Sequence, residues 1–474
     1  MTLRIAHLAS EAVPFSKTGG LADVVGALPP ALAALGHAVT VVVPGHRVTV
    51  NDELPGEPVG EVWAMGMRAA VRQVSHQGTT VLLLDCPQLF VRPGLYSLPE
   101  GDFPDNPIRY AFFARAALYA VAAHGGADII HAHDWQAALA PLALARFPEH
   151  RSGLPGAASV LTIHNLAYQG VFPPWVLEAC QLPRDLFTMD TLEFYGHVNF
   201  LKGGLVSADA ITTVSPTYAR EILTPQFGCR LEGVLASRSD RLSGILNGLD
   251  VATWDPASDR HIPTPYTAAS VRAGKTAAHE ALAAEAELAP GARPLLGMVS
   301  RLTEQKGADV LAAALDEIVA LGYDVVVLGT GERRYEETLQ AAQLSHPGRV
   351  RVFARFDEGL AHRIYAGADL FLMPSRWEPC GLGQMIAMRY GTLPVVNPTG
   401  GLADTVVDVG EPHGTGFVLD ELSPRGLVAA LGRALEVLRN PARLDAVRRA
   451  GMSRDFSWDS SARAYAELYR TLLP

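Results

Sequence analysis

The amino-acid sequence predicts an α/β protein made of two doubly wound domains, each with a mostly parallel sheet. Three observations support this fold class. At 474 residues the chain exceeds what a single hydrophobic core usually supports. Short apolar runs alternate with longer amphipathic stretches, and this alternation restarts after about residue 245. A hexapeptide from the first half, residues 18–23, recurs in the second half as residues 399–404.

The strands of the first half are predicted from continuous apolar runs, which are typical of parallel strands covered on both faces. These runs are residues 39–44, 80–85, 128–131, 159–164 and 210–215. Amphipathic segments between them predict helices, including 21–35 and 108–123.

A second set of strands follows in the other half of the chain. Its apolar runs are residues 294–300, 323–329, 350–353, 369–373 and 393–397. Residues 246–250 and the proline-rich stretch after them indicate a hinge between the two sets. We therefore predict one domain over residues 1–245 and a second over 246–455.

Composition and charge exclude several classes of protein. A formal net charge of −10 disfavours nucleic-acid binding, which depends on a basic surface. The four cysteines are far apart and form no CxxC pair, as expected in a reducing compartment. The chain runs from Met1 straight into a strand-like segment, and no apolar stretch is long enough for a bilayer. We expect a cytoplasmic protein without a membrane or nucleic-acid partner.

The repeated hexapeptide Thr-Gly-Gly-Leu-Ala-Asp follows a strand and opens a predicted helix each time. The paired glycines, Gly19-Gly20 and Gly400-Gly401, allow a backbone to approach a ligand, and exposed helix N–H groups favour an anion. Ligands of open α/β sheets bind beyond the carboxyl ends of the strands. The two turns are therefore expected to face each other across a cleft, although either one alone is also explained as a tight turn.

Arg301 and Lys306 follow the first strand of the second half. The chain has 39 basic residues but only four lysines, so a lysine beside a glycine-rich turn is unusual here. Arginine supplies a planar fork and lysine a compact charge, and this combination is typical of diphosphate sites. For Arg301 alone, an ordinary surface salt bridge is the alternative interpretation.

Glu378 lies in a turn that precedes a helix, which we predict to begin at Gly381. One interpretation is a carboxylate that caps the helix N-terminus. The other is a carboxylate that binds sugar hydroxyls while the following N–H groups hold the same sugar. The sequence leaves both open.

Histidines and an aspartate follow two neighbouring strands of the first half. His131 and His133 share one face of their strand, with Asp134 next in the chain and His164 at the end of the following strand. No further Cys/His cluster completes a metal site. We therefore predict no metal, and interpret these side chains as the polar lining of a sugar pocket.

Aromatic residues occur in the predicted loops of the first half, at Tyr96, Trp135, Tyr168 and Phe172. Such rings either pack in the core or stack against carbohydrate. We place Tyr96, Trp135 and Tyr168 in an acceptor site.

These motifs resemble the signature blocks of bacterial glycogen and plant starch synthases in content, order and spacing. The blocks are residues 17–24, 131–136, 162–170, 199–204, 214–218, 227–229, 300–307 and 378–382. The resemblance implies the two-Rossmann-domain glycosyltransferase fold (GT-B) and retaining transfer of glucose from ADP-glucose to an α-glucan, without a cofactor. It also implies that the last helix, within residues 456–474, packs back on the first domain.

Site residues carried over by motif fall into two groups. Catalytic roles are implied for Arg301, Lys306, Glu378, His164 and Asp134. Donor binding is implied for Lys17, Gly19, Gly20, Asn165, Cys380, Gly381, Leu382, Thr399, Gly400 and Gly401.

Two single residues and one dipeptide depart from the family pattern. Gly383 replaces a common threonine, Trp377 a frequent phenylalanine, and Asn397-Pro398 a more usual basic residue. All lie beside the expected donor pocket, so UDP-glucose remains an alternative donor.

Three other classes of protein are disfavoured. A nucleotide-sugar epimerase shares the fold but not the signature blocks. A phosphorylase needs a pyridoxal phosphate lysine, and none of the four lysines has the surroundings that family requires. An exported sugar-binding protein is disfavoured because no signal peptide is recognised.

Overall fold

A computed structural model describes residues 2–98 and 100–473. Met1, Pro99 and Pro474, which fall in the predicted ranges 1–245 and 456–474, lie outside the described residues. The chain forms two compact units: one contains the chain up to Gly248 and again from Trp458, and the other contains Leu249–Ser457. The sequence analysis placed these two divisions at residues 245 and 456.

The described part of the first unit contains one nine-stranded sheet and two small sheets. Its strands in chain order are β1 (Arg4–Leu8), β2 (Ala38–Pro44), β3 (Glu57–Ala64), β4 (Met67–His76), β5 (Thr79–Asp85), β6 (Ser97–Leu98), β7 (Gly101–Asp102), β8 (Ile129–His133), β9 (Ala158–Ile163), β10 (Val171–Phe172), β11 (Glu193–Phe194), β12 (His197–Asn199), β13 (Ala210–Thr213) and β14 (Leu242–Gly244). The large sheet has the order β14-β13-β9-β8-β1-β2-β5-β4-β3, in which β4 pairs antiparallel with both β3 and β5 and the other neighbours pair parallel. β6–β7 and β10–β12 form small separate sheets.

Helices cover both faces of this sheet. They are α1 (Gly20–Ala34), α2 (Pro87–Phe90), α3 (Asn106–Ala123), α4 (Asp134–Ala137), α5 (Leu139–Arg146), α6 (Pro148–Gly153), α7 (Val176–Ala179), α8 (Phe200–Ser207), α9 (Pro216–Glu221) and α10 (Glu232–Ala236), with 3-10 turns at Arg184–Leu186 and Ser239–Arg241. Within β1, Ile5 joins the core on the α1 side, whereas Ala6 and Leu8 join the core on the α3 side. Because strand side chains alternate between faces, burial on both faces explains the continuous apolar runs.

The C-terminal helix Trp458–Thr471 completes the first unit. Its apolar residues Trp458, Ala462, Tyr465 and Tyr469 recur at helical spacing and pack in the same core cluster as Leu28 of α1.

The second unit has a six-stranded sheet that is parallel throughout. Its strands are β15 (Leu295–Val299), β16 (Asp324–Leu328), β17 (Val350–Phe353), β18 (Leu370–Met373), β19 (Leu393–Val396) and β20 (Phe417–Val418), in the order β17-β16-β15-β18-β19-β20. Its helices are α11 (Val271–Glu285), α12 (Ala308–Ala320), α13 (Arg333–Ser345), α14 (Glu358–Gly367), α15 (Gly383–Arg389), α16 (Gly400–Thr405), α17 (Pro424–Leu438) and α18 (Pro441–Met452).

The predicted fold class of two doubly wound α/β units is confirmed. The sequence analysis missed the hairpin β3–β4, because β3 is largely exposed and lacks the apolar run that marked the other strands. None of the described helices is long and apolar enough to cross a membrane.

Candidate active site

The polar residues of the first unit gather where three adjacent parallel strands end. β1, β8 and β9 are neighbours in the sheet, and Glu11, Asp134 and His164 follow their carboxyl ends. The backbone N–H of His164 donates a hydrogen bond to Asp134 Oδ1 at 2.7 Å. The structure therefore brings together the predicted residues Asp134 and His164, with Asn165 next in the chain.

The first Gly-Gly turn is anchored by a residue that the sequence analysis missed. Glu11 is buried, and its carboxylate accepts hydrogen bonds from the backbone N–H and the hydroxyl of Thr18. Burial raises the pKa of the Glu11 carboxyl, although the bonds from Thr18 oppose this shift. Lys17 is exposed and pairs with Asp23, with Nζ 2.7 Å from Oδ1. The position of Glu11, just beyond the end of β1, was the available signal.

Asp134 has a left-handed backbone conformation and a carboxyl group with a raised pKa. Its φ of 54° lies in the left-handed region, which is uncommon for non-glycine residues although aspartate adopts it more readily than most. Burial raises the pKa of its carboxyl to about 7, and the hydrogen bonds from His164 and Asn165 only partly oppose this. The group therefore changes charge near neutral pH.

His7 on β1 joins the two histidines that the sequence analysis singled out on β8. It pairs in register with His131, and the nearest ring nitrogens of His7, His131 and His133 lie within 4.8 Å of one another. The sequence analysis found no further Cys/His cluster near these residues and did not place His7 beside them. Both nitrogens of His131 are nevertheless engaged, with Tyr469 Oη at 2.7 Å and Thr162 Oγ1 at 2.5 Å. The absence of a metal stays a prediction.

The three aromatic residues predicted for an acceptor site have different surroundings. Trp135 packs edge-on against Tyr110 and lies under Gly170, where an added Cβ would overlap its ring. Tyr96 is half-buried, and its hydroxyl is 2.7 Å from Ser10 Oγ. Tyr168 is 53% exposed, so among the three its ring is the most accessible to a ligand.

In the second unit, Lys306 and Glu378 form a partly buried ion pair. Lys306 Nζ lies 2.6 Å from Glu378 Oε2, and the Ser375 hydroxyl donates to the same oxygen at 2.9 Å. Glu378 is buried, so these two partners take the place of water around its carboxylate. Oε1 makes no hydrogen bond with the described residues. This leaves one carboxylate oxygen for a ligand.

Backbone and amide bonds join the loops around this pair. Gln305 Nε2 donates to the Trp377 carbonyl at 3.2 Å, and the Arg376 N–H donates to the Gln305 carbonyl at 2.8 Å. Asn397, one of the departures from the family pattern, donates from Nδ2 to the Ser375 carbonyl at 2.8 Å. The loops that follow β15, β18 and β19 are thus held as one structure. Pro398, the second residue of this dipeptide, has no side-chain donor and cannot make such a hydrogen bond.

The second Gly-Gly turn packs directly on the Glu378 loop. Gly400 has a φ of 47°, and a Cβ built there would overlap the Glu378 carbonyl oxygen. A Cβ on Gly401 would overlap the Cys380 carbonyl oxygen, and the Gly401 N–H donates to the Glu378 carbonyl at 3.1 Å. α16 begins at Gly400, as predicted, directly after Thr399 at its N-cap.

The helix after Glu378 begins later than predicted. α15 starts at Gly383 and not at Gly381, because Gly381 has a φ of 73° and cannot continue a right-handed helix. Leu382 is the residue before the helix, and Cys380 is buried.

The last predicted phosphate ligand, Arg301, is exposed after β15. Its side chain makes no hydrogen bond or ion pair with the described residues. Its guanidinium is therefore available to an anion.

Two α/β units with polar loops at the carboxyl ends of their parallel strands are the architecture of GT-B glycosyltransferases, and the family matches assign the chain to that class. Residues 4–237 match the family described as starch synthase catalytic domain, and residues 282–449 match glycosyl transferases group 1. The chain is 49% identical to a glycogen synthase of Anaeromyxobacter dehalogenans over 100% of both chains. It is 45% identical to glycogen synthase 2 of Geobacter sulfurreducens, covering 99% of this chain and 98% of the relative. The chain belongs to the glycogen synthase family.

The chain is also similar to solved structures. The catalytic domain of starch synthase IV from Arabidopsis thaliana, bound to ADP and acarbose, superposes with a TM-score of 0.90 at 32% identity, covering 100% of this chain and 99% of that one. Sucrose-phosphate synthase from Thermosynechococcus elongatus shares the fold, with a TM-score of 0.63 at 21% identity over 99% of each chain.

Proposed function

We propose that the protein transfers glucose from ADP-glucose to the non-reducing end of an α-1,4-glucan, with retention of configuration. The observation that carries this proposal is the likeness over the whole chain to a starch synthase domain bound to ADP and acarbose. The names of the bacterial relatives support a glucan product.

The roles of the second unit follow from its charges. Arg301 and Lys306 stabilise the departing diphosphate, since a cationic group aimed at developing charge lowers the barrier most. Glu378 holds Lys306 in place through Oε2, while Oε1 accepts a hydrogen bond from a sugar hydroxyl. Of the two interpretations of Glu378, helix capping and sugar binding, the proposal keeps sugar binding, since the helix that follows has no side-chain cap hydrogen bond among the described residues.

The first unit supplies the surroundings of the glucose. His164 is neutral because burial lowers the pKa of its imidazole to about 3, so it adds no charge next to a developing oxocarbenium ion. Asp134 orients the attacking hydroxyl of the glucan. The acceptor attacks on the face from which the diphosphate departs, and an oxygen of that diphosphate takes the proton.

This mechanism forms no covalent glucosyl-enzyme. A double displacement needs a carboxylate nucleophile at the anomeric carbon. In the proposed arrangement Glu378 Oε1 binds a sugar hydroxyl and Asp134 binds the attacking hydroxyl of the glucan, so neither carboxylate is assigned to the anomeric carbon. Mass spectrometry after reaction with a slowly transferred donor analogue tests this point, and a glucosyl adduct on either carboxylate would overturn it.

The proposed function is tested by incorporation of labelled glucose into glycogen, with ADP-glucose and UDP-glucose in parallel. We expect transfer with ADP-glucose and at most slow transfer with UDP-glucose. Faster transfer from UDP-glucose would contradict the donor assignment, and no transfer from either donor would contradict the proposed function.

A further inference from the structure

Three histidines of the first unit form a hydrogen-bonded row, which we call the histidine row: His7, His133 and His164. His7 Nδ1 lies 3.0 Å from His133 Nε2, and His133 Nδ1 lies 3.0 Å from His164 Nε2. His7 and His133 are fully buried, whereas His164 is half-buried at the end of the row. His164 is the member for which a role in the reaction is proposed.

Every ring of the row is neutral at working pH. Burial lowers the pKa of His7 and of His164 to about 3, and that of His133 well below its ordinary value, with the neighbouring histidines adding to the shift at His133. A neutral imidazole has one N–H donor and one bare nitrogen that accepts. The two hydrogen bonds of the row must therefore run in the same direction.

The two possible directions differ at the buried end of the row. In one direction, His164 donates from Nε2 to His133, His133 donates from Nε2 to His7, and His7 keeps its proton on Nε2. In the other direction, His7 donates from Nδ1, His133 donates from Nδ1 to His164 Nε2, and His7 Nε2 is bare.

The surroundings of His7 decide between these directions. His7 Nε2 is buried and has no hydrogen-bond partner among the described residues. Among buried backbone groups, an N–H without an acceptor is rarer than a carbonyl that lacks a donor, and we take the same preference for the imidazole of His7. The direction that leaves His7 Nε2 bare is therefore favoured, and it places the proton of His164 on Nδ1.

We propose that His133 and His7 are positioning residues that hold His164 in the Nδ1–H form, so that this N–H donates to a hydroxyl of the transferred glucose. His164 Nδ1 makes no hydrogen bond with the described residues, so it is the ring nitrogen that remains for a ligand. The inference rests on the proposed function, because it assigns the sugar as the acceptor of that bond.

The tautomer is measured without reference to activity. Long-range 1H–15N correlation spectra of the full chain, with 15N in the histidine rings, distinguish Nδ1–H from Nε2–H forms. The His164 signals are assigned by their loss in the His164→Ala variant. We expect the Nδ1–H form for His164, and the Nε2–H form would overturn the proposal.

Two matched variants test the contribution of His133 to the reaction. In His133→Asn the side-chain amide is placed near the former Nδ1 and still donates to His164, whereas in His133→Gln the amide is placed near the former Nε2. Loss of one hydrogen bond to a reacting group corresponds to roughly tenfold in rate. We expect His133→Gln to lose about that much in kcat with little change in KM, and His133→Asn to recover most of it.

A purely structural role of His133 makes a different prediction. Both variants would then lose thermal stability and activity in parallel, and equal kcat values for Asn and Gln would overturn the proposal. ADP-glucose analogues that each lack one hydroxyl of the glucose provide a second readout. The difference in kcat between the two variants should vanish for the analogue that lacks the hydroxyl bound by His164. If the wild-type protein transferred no glucose at all, the proposed function would fail, while the spectra would still decide the tautomer.

Discussion

The two copies of the hexapeptide are identical in sequence and differ in surroundings. Gly19 and Gly20 are exposed, and no atom lies within 4 Å of a Cβ built on either. Gly400 and Gly401 are buried, and a Cβ on either would overlap a backbone carbonyl oxygen of the Glu378 loop. The second copy therefore needs glycine for its packing, whereas the first has open space that suits the approach of a ligand.

The charges beside the two copies differ in the same way. Lys17 and Asp23 form a pair whose side chains are 52% and 38% exposed, whereas Lys306 and Glu378 are 18% and 7% exposed. A charge that is shielded from water acts more strongly on a neighbouring charge than an exposed one. The two identical hexapeptides are therefore expected to contribute unequally to catalysis and to stability, and substitutions beside each of them measure that difference.

The largest effect is expected at Lys306. Lys306→Ala removes a cation aimed at the leaving group and also leaves the buried Glu378 carboxylate with Ser375 alone. We expect kcat to fall on the order of 10²–10³-fold at saturating donor. The measurement is the initial rate of glucose transfer, with Arg334→Ala, an exposed cation in the same unit, as control. A kcat near that of the wild type would refute the role of Lys306.

The next largest effect is expected on the stability of alanine variants in the two Gly-Gly turns. Gly401→Ala places a methyl group against the Cys380 carbonyl oxygen, and such overpacking costs about 1–3 kcal/mol. Gly20→Ala introduces no overlap and should change the free energy of unfolding by less than about 0.5 kcal/mol. Urea unfolding of both variants checks this difference, and equal losses of stability would show that the two turns are packed alike.

A pH-dependent effect is expected at Asp134. Its folded pKa of about 7 lies above the value of about 3.9 of an unfolded aspartate. Between these pH values the folded state keeps a proton that the unfolded chain has released, so the group's contribution to stability decreases as pH rises and is constant above about pH 7.

The variant Asp134→Asn lacks this titration. We therefore expect the stability of the wild type relative to Asp134→Asn to decrease between about pH 4 and 7. Unfolding free energies of both proteins across that range give the measurement, in which titration of the histidines cancels. A constant difference would contradict the raised pKa of Asp134.

The sequence predicted the strands that are buried on both faces, because such strands carry a continuous apolar run. It missed β3, whose side chains are mostly exposed and carry no such run. It missed His7, because its partner His133 lies on a strand that is adjacent in the sheet and distant in the chain. It missed Glu11 although Thr18, the residue that it anchors, is only seven residues away.

The scarcity of lysine was a weaker signal than it seemed from composition. Lys202 and Lys275 are buried and donate to backbone carbonyls, among them Met189 and Ala366 at 2.6 Å each. In this chain lysine therefore occurs at structural sites, where it donates to backbone carbonyls, as well as at the proposed catalytic site. Its location at the end of a strand, as for Lys306, was the more specific indication.

The smallest effect is expected at Lys17, whose pair with Asp23 is exposed. Exposed ion pairs contribute about 0–1 kcal/mol, so Lys17→Ala should leave the unfolding midpoint nearly unchanged. If Lys17 contacts the donor phosphates, as the motif implies, KM for ADP-glucose should rise a few-fold at low salt and less at high salt, because salt screens exposed charges. The variant Asp23→Asn is the control, since it breaks the same pair but keeps the cation. A loss of kcat as large as that of Lys306→Ala would show that the two hexapeptides contribute equally to the reaction, and the contrast between them would then be wrong.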